Sequence, residues 1–494
     1  MPPMDIRVAL LAAECEPWAK TGGLADVVDA LARALARLPK SGAGLHVPVD
    51  VFLPRYRSVD VPGSAVFEPV LVVDDPAGGA PIRARIVDVA ADGYRLRLVD
   101  VPAAFDRDEF YDHPDDAWRF AVFCRVALAA LRRDGMPLDV LHVHDWHTGP
   151  ALLERARGEA ARDPFFAQMA VVLTVHNLAY HGWVPADRLG ELGLRPGDAL
   201  AGANAHGLDL LLTAIEGAEI ANTVSPGFAA EALTPAFGMG LDGALRAKGD
   251  RFLGILNGID PDVWDPARDP VLAARYDRTS PSGKADCRAD LLVRLGFDPA
   301  DAGVVLGMIG RMDPQKGFDL LAEGAADLLA AGARIVVQGS GHASLADPFR
   351  ALVAANPGRV ALIERFDRDM ARRIYAGVDL FLMPSRFEPC GQGQMIALRY
   401  GTPPVVRRTG GLADSVVDDV ERPGEGTGFV FDDATPSALV AAVLRADALR
   451  TGRPAAWDAL VRRGMAVDFR WDTGSAPRYL EAYRRAIALR ARAS

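Results

Sequence analysis

The fold is decided by the stretch Val304-Val305-Leu306-Gly307-Met308-Ile309, which is followed by Gly310-Arg311-Met312-Asp313-Pro314-Gln315-Lys316-Gly317. The apolar run predicts a buried strand, and the glycines and proline after it predict a tight turn. A strand that ends in such a turn and leads into a helix is the repeating unit of a parallel α/β sheet. The second half of the chain is therefore expected to contain one.

The same alternation of short apolar runs and amphipathic stretches extends in both directions. The other predicted strands cover residues 6–11, 49–53, 140–143, 171–175, 220–224, 335–337, 360–363, 380–383 and 404–406. Two series of this kind predict two Rossmann-like domains, each a doubly wound parallel sheet, with the hinge near residue 253. The expected domains are residues 1–252 and 253–494. A final helix, from about 477 to 493, has no strand after it.

Composition excludes several classes of protein. A chain of 494 residues with 50% apolar residues can bury two large cores. The net charge of −10 leaves no basic footprint for nucleic acid. The N-terminus lacks a signal-peptide pattern, and no uncharged apolar run is long enough to span a membrane. We expect a cytoplasmic protein with neither nucleic acid nor membrane among its partners. The four cysteines are far apart and form no C-x-x-C pair: Cys15, Cys124, Cys287 and Cys390.

Polar and glycine-rich clusters directly follow most of the predicted strands. Ligands of open parallel sheets bind beyond the carboxyl ends of the strands, so these clusters are expected to face one crevice shared by the two domains. In the first cluster, Lys20-Thr21-Gly22-Gly23, the backbone N–H groups of a helix start can bind a phosphate, with Lys20 as a point charge. A plain tight turn with a solvated lysine remains the alternative.

Six residues of the first cluster and the helix after it are repeated in the second half of the chain. Thr21-Gly22-Gly23-Leu24-Ala25-Asp26 recurs as Thr409-Gly410-Gly411-Leu412-Ala413-Asp414. Common ancestry of the halves and independent selection of the same turn both explain it. Either explanation predicts a glycine-rich helix start in each domain.

Two histidine-containing clusters follow strands in the first half. The run His142-Val143-His144-Asp145-Trp146-His147 suits zinc, but no further ligand cluster completes a set, and Asp145 and Trp146 equally suit sugar binding. In Thr174-Val175-His176-Asn177, His176 is either structural or part of the same crevice.

In the second half, Arg311 and Lys316 are placed to straddle a diphosphate, although a pair of surface cations is the alternative. Gly339 lies in another tight turn, Gln338-Gly339-Ser340-Gly341. In Pro384-Ser385-Arg386-Phe387-Glu388-Pro389-Cys390-Gly391, Glu388 can accept hydrogen bonds from sugar hydroxyls, and the amides of residues 391–394 can bind a phosphate. Together these groups indicate an enzyme that uses a nucleotide sugar.

The ordered motifs resemble those of bacterial glycogen synthases and plant starch synthases over almost the whole chain. The resemblance lies in residues 20–27, 144–147, 174–180, 224–226, 257–260, 315–317 and 384–391. It implies the GT-B fold, two Rossmann-like domains facing a central cleft, with the last helix crossing back to the first domain. It also implies transfer of glucose from ADP-glucose to the non-reducing end of an α-1,4-glucan, with retention of configuration and with neither cofactor nor metal.

The resemblance assigns roles position by position. Arg311 and Lys316 would neutralise the leaving diphosphate, Glu388 would hold the glucose hydroxyls, His176 would lie near the reacting glucose and Asp145 on the acceptor side. Substrate binding falls to twelve further positions: Lys20, Gly22, Gly23, Asp26, Asn257, Gly339, Cys390, Gly391, Gln392, Gly393, Thr409 and Gly410.

Three departures from the family pattern keep alternatives open. Cys390-Gly391-Gln392-Gly393-Gln394 stands where the family usually has C-G-L-T-Q, Leu212 replaces a lysine, and the loop from Phe105 to Asp116 is short. We expect that restoring threonine at position 393 preserves or improves donor binding. The alternatives are a retaining GT-B enzyme with UDP-glucose or another acceptor, and an inactive glucan-binding homologue.

Overall fold

The computed structural model describes residues 5–38, 47–195, 197–198 and 202–493. It divides into two compact units. The first comprises Met1–Val224, Ala229–Ile255 and Trp471–Ser494, and the second comprises Ser225–Phe228 and Leu256–Arg470. No helix among the described residues is both long enough and apolar enough to span a bilayer.

The first unit is built on a ten-stranded sheet whose central strands are parallel. Its strands are β1 Val8–Leu11, β2 Val49–Pro54, β3 Val66–Phe67, β4 Leu71–Val73, β5 Ile82–Ala90, β6 Arg95–Asp100, β7 Val140–His144, β8 Ala170–Val175, β12 Ile220–Thr223 and β13 Phe252–Gly254. A separate three-stranded sheet consists of β9 Trp183–Pro185, β10 Ala203–Asn204 and β11 Gly207–Asp209. The helices are α1 Gly23–Arg37, α2 Pro102–Phe105, α3 Asp116–Asp134, α4 Pro150–Arg157, α5 Leu210–Gly217 and α7 Asp242–Lys248, while α6 Pro226–Ala232 begins in the Ser225–Phe228 segment of the second unit and ends in the first.

The second unit contains a six-stranded sheet in which every neighbouring pair is parallel. Its strands are β14 Val305–Ile309, β15 Arg334–Gln338, β16 Val360–Ile363, β17 Leu380–Met383, β18 Pro404–Arg407 and β19 Phe429–Phe431. The helices are α8 Gly283–Arg294, α9 Phe318–Ala330, α10 Ala343–Ala355, α11 Arg368–Gly377, α12 Gly393–Arg399, α13 Gly410–Ser415, α14 Pro436–Gly452 and α15 Pro454–Ala466.

The last helix, α16 (Ala476–Ala493), belongs to the first unit although it follows the second in sequence. It packs on β7, β8 and β12. Two fully buried tyrosines, Tyr479 and Tyr483, face the sheet, and their hydroxyls form hydrogen bonds with Asn222 and His142. The helix therefore closes one face of the first core.

The predicted fold, two Rossmann-like α/β domains, is confirmed, with one addition. Strand β5 runs antiparallel to β6, and β3 and β4 run antiparallel to β5, so the first sheet has an antiparallel edge. The strands of this edge were not predicted. Strands β5 and β6 alternate charged and apolar residues and so lack the continuous apolar run that marked the buried strands, and β3 and β4 are only two and three residues long.

Candidate functional site

Strand order places the polar loops at the centre of each sheet. In the second unit the order is β16-β15-β14-β17-β18-β19, which is the Rossmann arrangement. Successive strands are added on one side of β14 up to β16 and then on its other side from β17, so the strand order reverses between β14 and β17. In the first unit the parallel strands run β6-β2-β1-β7-β8-β12-β13, with the same reversal between β1 and β7. Ligands of doubly wound sheets bind beyond the strand ends at this point. The loops after β1, β7, β14 and β17 carry most of the predicted site residues.

In the second unit, the loops after β14 and β17 are joined by an ion pair. Nζ of Lys316 donates a hydrogen bond of 2.6 Å to Oε2 of Glu388, and the Ser385 hydroxyl donates to the same oxygen at 3.1 Å. Glu388 is only 4% exposed. Its other oxygen, Oε1, has no partner among the residues that the structure describes and stays available as an acceptor.

Backbone contacts hold these two loops in place. The Asp313 carboxylate accepts a hydrogen bond from the N–H of Gln315 and so caps the short helix Pro314–Lys316. The side-chain amide of Gln315 donates to the carbonyl of Phe387, and the N–H of Arg386 donates to the carbonyl of Gln315. The ion pair therefore lies between two loops that are already fixed.

Arg311 differs from Lys316 because its side chain is exposed. Within the described ranges, no hydrogen bond or ion pair joins its guanidinium to another residue. Its neighbour Met312 is buried and forms a backbone bridge to Gly341, which anchors the loop. A fixed backbone with a free guanidinium suits the binding of an external anion.

Gly339 has a structural explanation. A Cβ at this position would lie 2.2 Å from the carbonyl oxygen of Gly310, because the two turns pack on each other. Its N–H already donates to the carbonyl of Ile363. The need for glycine at this position thus follows from packing between protein loops.

The segment after Glu388 leads into α12. Gly391 has a φ of +69°, which favours glycine, and Gln394 is fully buried. The side-chain amide of Gln394 donates to the carbonyls of Cys390 and Gly391 and to the Ser415 hydroxyl. Gln394 therefore stabilises the turn from its buried side, and its side chain does not point toward a ligand outside the loop. Burial raises the pKa of the Cys390 thiol to about 12.

The surroundings of Gly393 bear on the expectation for a threonine at this position. A Cβ at this position would lie 3.0 Å from Cε1 of Phe381, 3.3 Å from Sδ of Met383 and 3.3 Å from Oη of Tyr375. Position 393 therefore points into the packed interior below the helix. A threonine side chain would be directed at these three side chains, so the structure removes our reason for expecting better donor binding.

The two copies of the Thr-Gly-Gly motif differ in their surroundings. Both lead into helices, α1 at Gly23 and α13 at Gly410. A Cβ at Gly410 would lie 2.2 Å from the carbonyl oxygen of Glu388, and one at Gly411 would lie 2.3 Å from that of Cys390. A Cβ at Gly22 or Gly23 would meet nothing within 4 Å. The second pair is therefore required by packing, whereas the first pair lies beside open space.

In the first unit, the loop after β1 is organised by Glu14, which the sequence analysis did not identify. Its buried carboxylate accepts hydrogen bonds from the N–H groups of Thr21 (2.6 Å) and Gly22 (2.9 Å). It also accepts from the hydroxyls of Thr21 and Tyr111. The Gly22 amide that we expected to bind a phosphate is thus engaged by a carboxylate of the protein itself.

Lys20 lies between two carboxylates. Its Nζ donates to Oε2 of Glu16 at 2.5 Å and to Oδ1 of Asp26 at 2.6 Å. Burial alone would lower the pKa of Lys20, but Asp26 and Glu16 raise it above its usual value. Burial and the nearby Glu16 raise the pKa of Asp26 to about 7, against the opposing effect of Lys20. Lys20 remains charged, and it is half-exposed.

Asp145 and His176 meet at the ends of β7 and β8. Asp145 has φ 55° and ψ −172°, a conformation that is strained for any residue except glycine. Its Oδ1 accepts the backbone N–H of His176 at 2.7 Å. Burial raises the pKa of Asp145 to about 7, although hydrogen bonds from the His176 and Asn177 backbone oppose this. The carboxylate therefore shapes the loop that carries His176.

The histidines of β7 contact protein groups. His142 is buried between the hydroxyls of Tyr483 and Thr174, and His144 contacts His176. Among the described residues, no group of three or more His, Cys, Asp or Glu side chains is arranged to hold a metal ion. The zinc alternative thus gains no support from these histidines.

Asn257 is buried, its backbone contacts the Cys390 thiol, and its Oδ1 has no partner in the described part of the chain. Phe366, not identified from sequence, follows β16, whose Ile363 carbonyl accepts the Gly339 N–H, and is 79% exposed. Leu212, the departure from a family lysine, is half-buried in the first turn of α5.

Comparisons with known proteins agree over the full length of the chain. A model of the starch synthase catalytic domain matches residues 7–247, and a model of the glycosyl transferases group 1 family matches residues 303–447. The chain is 42% identical to a glycogen synthase of Syntrophotalea carbinolica, over 98% of this chain and 99% of that protein. It is 38% identical to a glycogen synthase of Geotalea uraniireducens, over 99% and 100% of the two chains.

Solved structures give the same picture. The catalytic domain of starch synthase IV from Arabidopsis thaliana, bound to ADP and acarbose, superposes with a TM-score of 0.89 at 32% identity. This match covers 98% of the present chain and 100% of that one. A sucrose-phosphate synthase from Thermosynechococcus elongatus matches with a TM-score of 0.60 at 19% identity, over 98% and 99% of the two chains, and supports the fold alone.

Proposed function

Since this chain belongs to the glycogen synthase and starch synthase family of glycosyltransferases, we propose that it transfers glucose from ADP-glucose to the non-reducing end of an α-1,4-glucan with retention of configuration. The full-length match to glycogen synthases carries this proposal. The starch synthase relative bound to ADP and acarbose supports the choice of donor and acceptor, because ADP is the nucleotide part of ADP-glucose and acarbose is built of glucose-like rings.

The cations of the second unit support the assignment chemically. As the glycosidic bond breaks, the leaving diphosphate gains negative charge, and fixed cations stabilise that charge more in the transition state than in the bound substrate. Arg311 is exposed and unpaired with any described residue, so its fork can bind two phosphate oxygens. Lys316, fixed by Glu388, supplies a second charge on the neighbouring loop.

Glu388 is proposed to hold the glucose of the donor. One of its oxygens is engaged by Lys316 and Ser385, which fixes the carboxylate, and the other remains an acceptor for sugar hydroxyls. The amides of residues 391–394 are proposed to contact the outer phosphate. Asn257, whose buried Oδ1 has no hydrogen-bond partner among the described residues, is proposed to bind the donor beside these amides.

Phe366 is proposed to stack on the base of the donor. It is a large apolar ring, 79% exposed, three residues beyond the carboxyl end of β16, the edge strand on the β14 side of the sheet. Exposed aromatic faces at such positions favour stacking with planar rings. Loss of the ring in Phe366→Ala is expected to raise KM for ADP-glucose and UDP-glucose alike, since stacking is insensitive to the identity of the base.

In the first unit, substrate is proposed to occupy the open space beside Gly22 and Gly23 and to interact with the charge of Lys20. Asp26 is proposed to hold Lys20 in place through their hydrogen bond. His176 is proposed to contact the reacting glucose. Asp145 acts through the backbone of His176, so we assign it to positioning.

Nucleotide release measured with two donors and two acceptors tests the proposal. ADP-glucose and UDP-glucose are each incubated with glycogen, with a short maltooligosaccharide and without acceptor, and Glu388→Gln serves as the inactive control. We expect ADP release that depends on glucan and exceeds UDP release. Preference for UDP-glucose would favour the alternative donor. No release with either donor, together with retained binding of glucan, would favour an inactive homologue.

A further inference from the structure

Three histidine rings line up inside the first unit, from the buried face of the sheet to the end of β8. The rings of His142 and His144 lie 4.2 Å apart between centroids, and Nδ1 of His144 lies 3.0 Å from Nε2 of His176. His142 and His144 are fully buried, whereas His176 is partly exposed. The chain of rings thus connects the core to a predicted site residue.

The proton positions on His142 follow from its partners. The Thr174 hydroxyl donates its hydrogen to Oδ1 of Asn222 at 2.9 Å, so toward His142 it acts as an acceptor. Nε2 of His142, 2.7 Å away, therefore carries the proton. Its Nδ1 is then free to accept from the Tyr483 hydroxyl at 2.8 Å. The helix α16 thereby fixes the ring on which His144 packs.

His144 and His176 share a single hydrogen bond, which has two possible directions. If His176 donates from Nε2, then the proton of His144 lies on its own Nε2, which is buried and has no partner among the described residues. If His144 donates from Nδ1, the buried Nε2 is only an unused acceptor. A buried N–H without an acceptor is rare and costly in proteins, so the second direction is favoured.

The same direction determines what His176 presents outward. With Nε2 accepting, its proton must lie on Nδ1. Nδ1 forms no hydrogen bond with any described residue and does not belong to the buried unpaired atoms. Burial lowers the pKa of His176 to about 3 and that of His144 well below its usual value, so both rings are neutral near pH 7. Asp145 fixes the backbone of His176 at the same time.

We propose that His144 is a positioning residue that donates its Nδ1–H to Nε2 of His176 and so fixes His176 as a hydrogen-bond donor whose Nδ1–H serves a hydroxyl oxygen of the sugar. The sugar as ligand rests on the proposed function. The direction of the hydrogen bond does not, because it follows from contacts within the first unit alone. His176 is then a donor with a fixed tautomer and does not act as a general acid.

Nitrogen-15 NMR of the wild-type protein with labelled histidine tests the direction without any assay of activity. Of the nine histidines, the signals of His176 are identified by their loss in His176→Gln. We expect a protonated Nδ1 and an unprotonated Nε2 on His176 at pH 7. A protonated Nε2, or a mixture of both forms, would overturn the proposal.

Two variants of nearly equal size test the effect on catalysis. In His144→Asn the side-chain amide can still donate to Nε2 of His176, whereas in His144→Leu no donor remains. We expect kcat to fall about tenfold more in the leucine variant, the cost of one hydrogen bond, with KM for glucan little changed. The His176 signals should stay Nδ1-protonated in His144→Asn and become mixed in His144→Leu.

Equal kcat in the two variants, with both folded by circular dichroism, would contradict the positioning role. If His144→Leu does not fold, the tautomer measured in the wild type still decides the direction of the hydrogen bond. A wild type that shows the expected tautomer but transfers no glucose would contradict the proposed function and would leave the hydrogen-bond assignment supported.

Discussion

Nζ of Lys316 lies 2.6 Å from Oε2 of Glu388, although the two residues are 72 positions apart in sequence. The pair joins the loops after β14 and β17, the two strands between which the order of the sheet reverses. Glu388 is almost fully buried, and Lys316 is about one quarter exposed. The pair therefore fixes a carboxylate and a cation at the place where a doubly wound sheet binds its ligand.

Arg311→Ala is expected to lower kcat by ~10²–10³ and to leave the melting temperature unchanged. Its guanidinium forms no hydrogen bond or ion pair with a described residue, so it contributes little to stability, whereas loss of one group that stabilises transition-state charge typically costs this much. Steady-state kinetics and thermal unfolding check both parts. Arg294→Ala, which removes an exposed arginine from α8, is the control and should alter neither. A raised KM with unchanged kcat would refute the leaving-group role.

Lys316→Met is expected to lower both kcat and stability. The substitution leaves the buried Glu388 carboxylate with only the Ser385 hydroxyl as a partner, which should cost roughly 1–3 kcal/mol. The double variant Lys316→Met/Glu388→Gln should recover most of the stability, because no buried charge remains, but no activity. Urea unfolding and kinetics on the three proteins separate the two roles. Recovery of activity in the double variant would remove both residues from the proposed site.

Gly393→Thr is expected to destabilise the second unit by ~1–3 kcal/mol and not to tighten donor binding. The added side chain must displace Phe381, Met383 or Tyr375 from a packed interior. Gly243→Ala, early in α7 with open space around the new Cβ, is the control and should be neutral or stabilising. Calorimetric titration with ADP-glucose and thermal unfolding are the measurements. Tighter binding at unchanged stability would restore our first expectation.

The two Thr-Gly-Gly motifs should respond oppositely to alanine. Gly411→Ala places a Cβ 2.3 Å from the carbonyl oxygen of Cys390, so we expect a large loss of thermal stability. Gly23→Ala meets nothing within 4 Å and should fold normally, but it should raise KM because it fills the space proposed for substrate. Equal behaviour of the two variants would mean that the first glycine pair has no binding role.

His147→Phe is expected to reduce the sensitivity of the protein to acid. Burial lowers the pKa of His147 to about 3, whereas an unfolded histidine titrates near 6.5. Between pH 7 and 5 the unfolded state therefore binds a proton that the folded state does not, and stability falls as the pH falls. The contribution of this one ring is roughly 2 kcal/mol at pH 5.

The measurement is the free energy of unfolding at pH 7 and pH 5 for the wild type and His147→Phe. The drop on acidification should be about 2 kcal/mol smaller in the variant. Asp145 and Asp26, whose pKa values are raised to about 7, act in the opposite direction, but they are present in both proteins and cancel. Equal drops in the two proteins would show that His147 is protonated in the folded state.

The sequence predicted the parts of the fold that depend on local pattern. Buried parallel strands such as β14 are continuous apolar runs, and the glycine-rich helix start expected in each domain occurs at Gly23 and at Gly410. Strands β5 and β6 were not predicted because charged residues interrupt their apolar runs, and β3 and β4 are only two and three residues long. Two parallel α/β sheets were thus predictable, and the antiparallel edge was not.

The candidate site divides in a similar way. Arg311, Lys316 and Glu388 could be identified because they follow strands within recognisable motifs. Glu14 could not, because its role depends on the distant Tyr111 and on the turn at Gly22. The sequence also did not predict whether a Cβ added at a glycine would meet open space or other atoms. Gly23 and Gly411 occur in identical hexapeptides and differ only in what packs against them.

Transfer of glucose from ADP-glucose to glucan can be followed with a label on the glucose itself. The protein is incubated with ADP-glucose labelled in the glucose ring and with unlabelled glycogen, and the purified polymer is digested with β-amylase, which removes maltose from non-reducing ends through α-1,4 bonds. We expect the label to enter the polymer and to be released almost entirely as maltose. Label that stays in solution as free glucose, or that enters the polymer but resists β-amylase, would contradict this expectation.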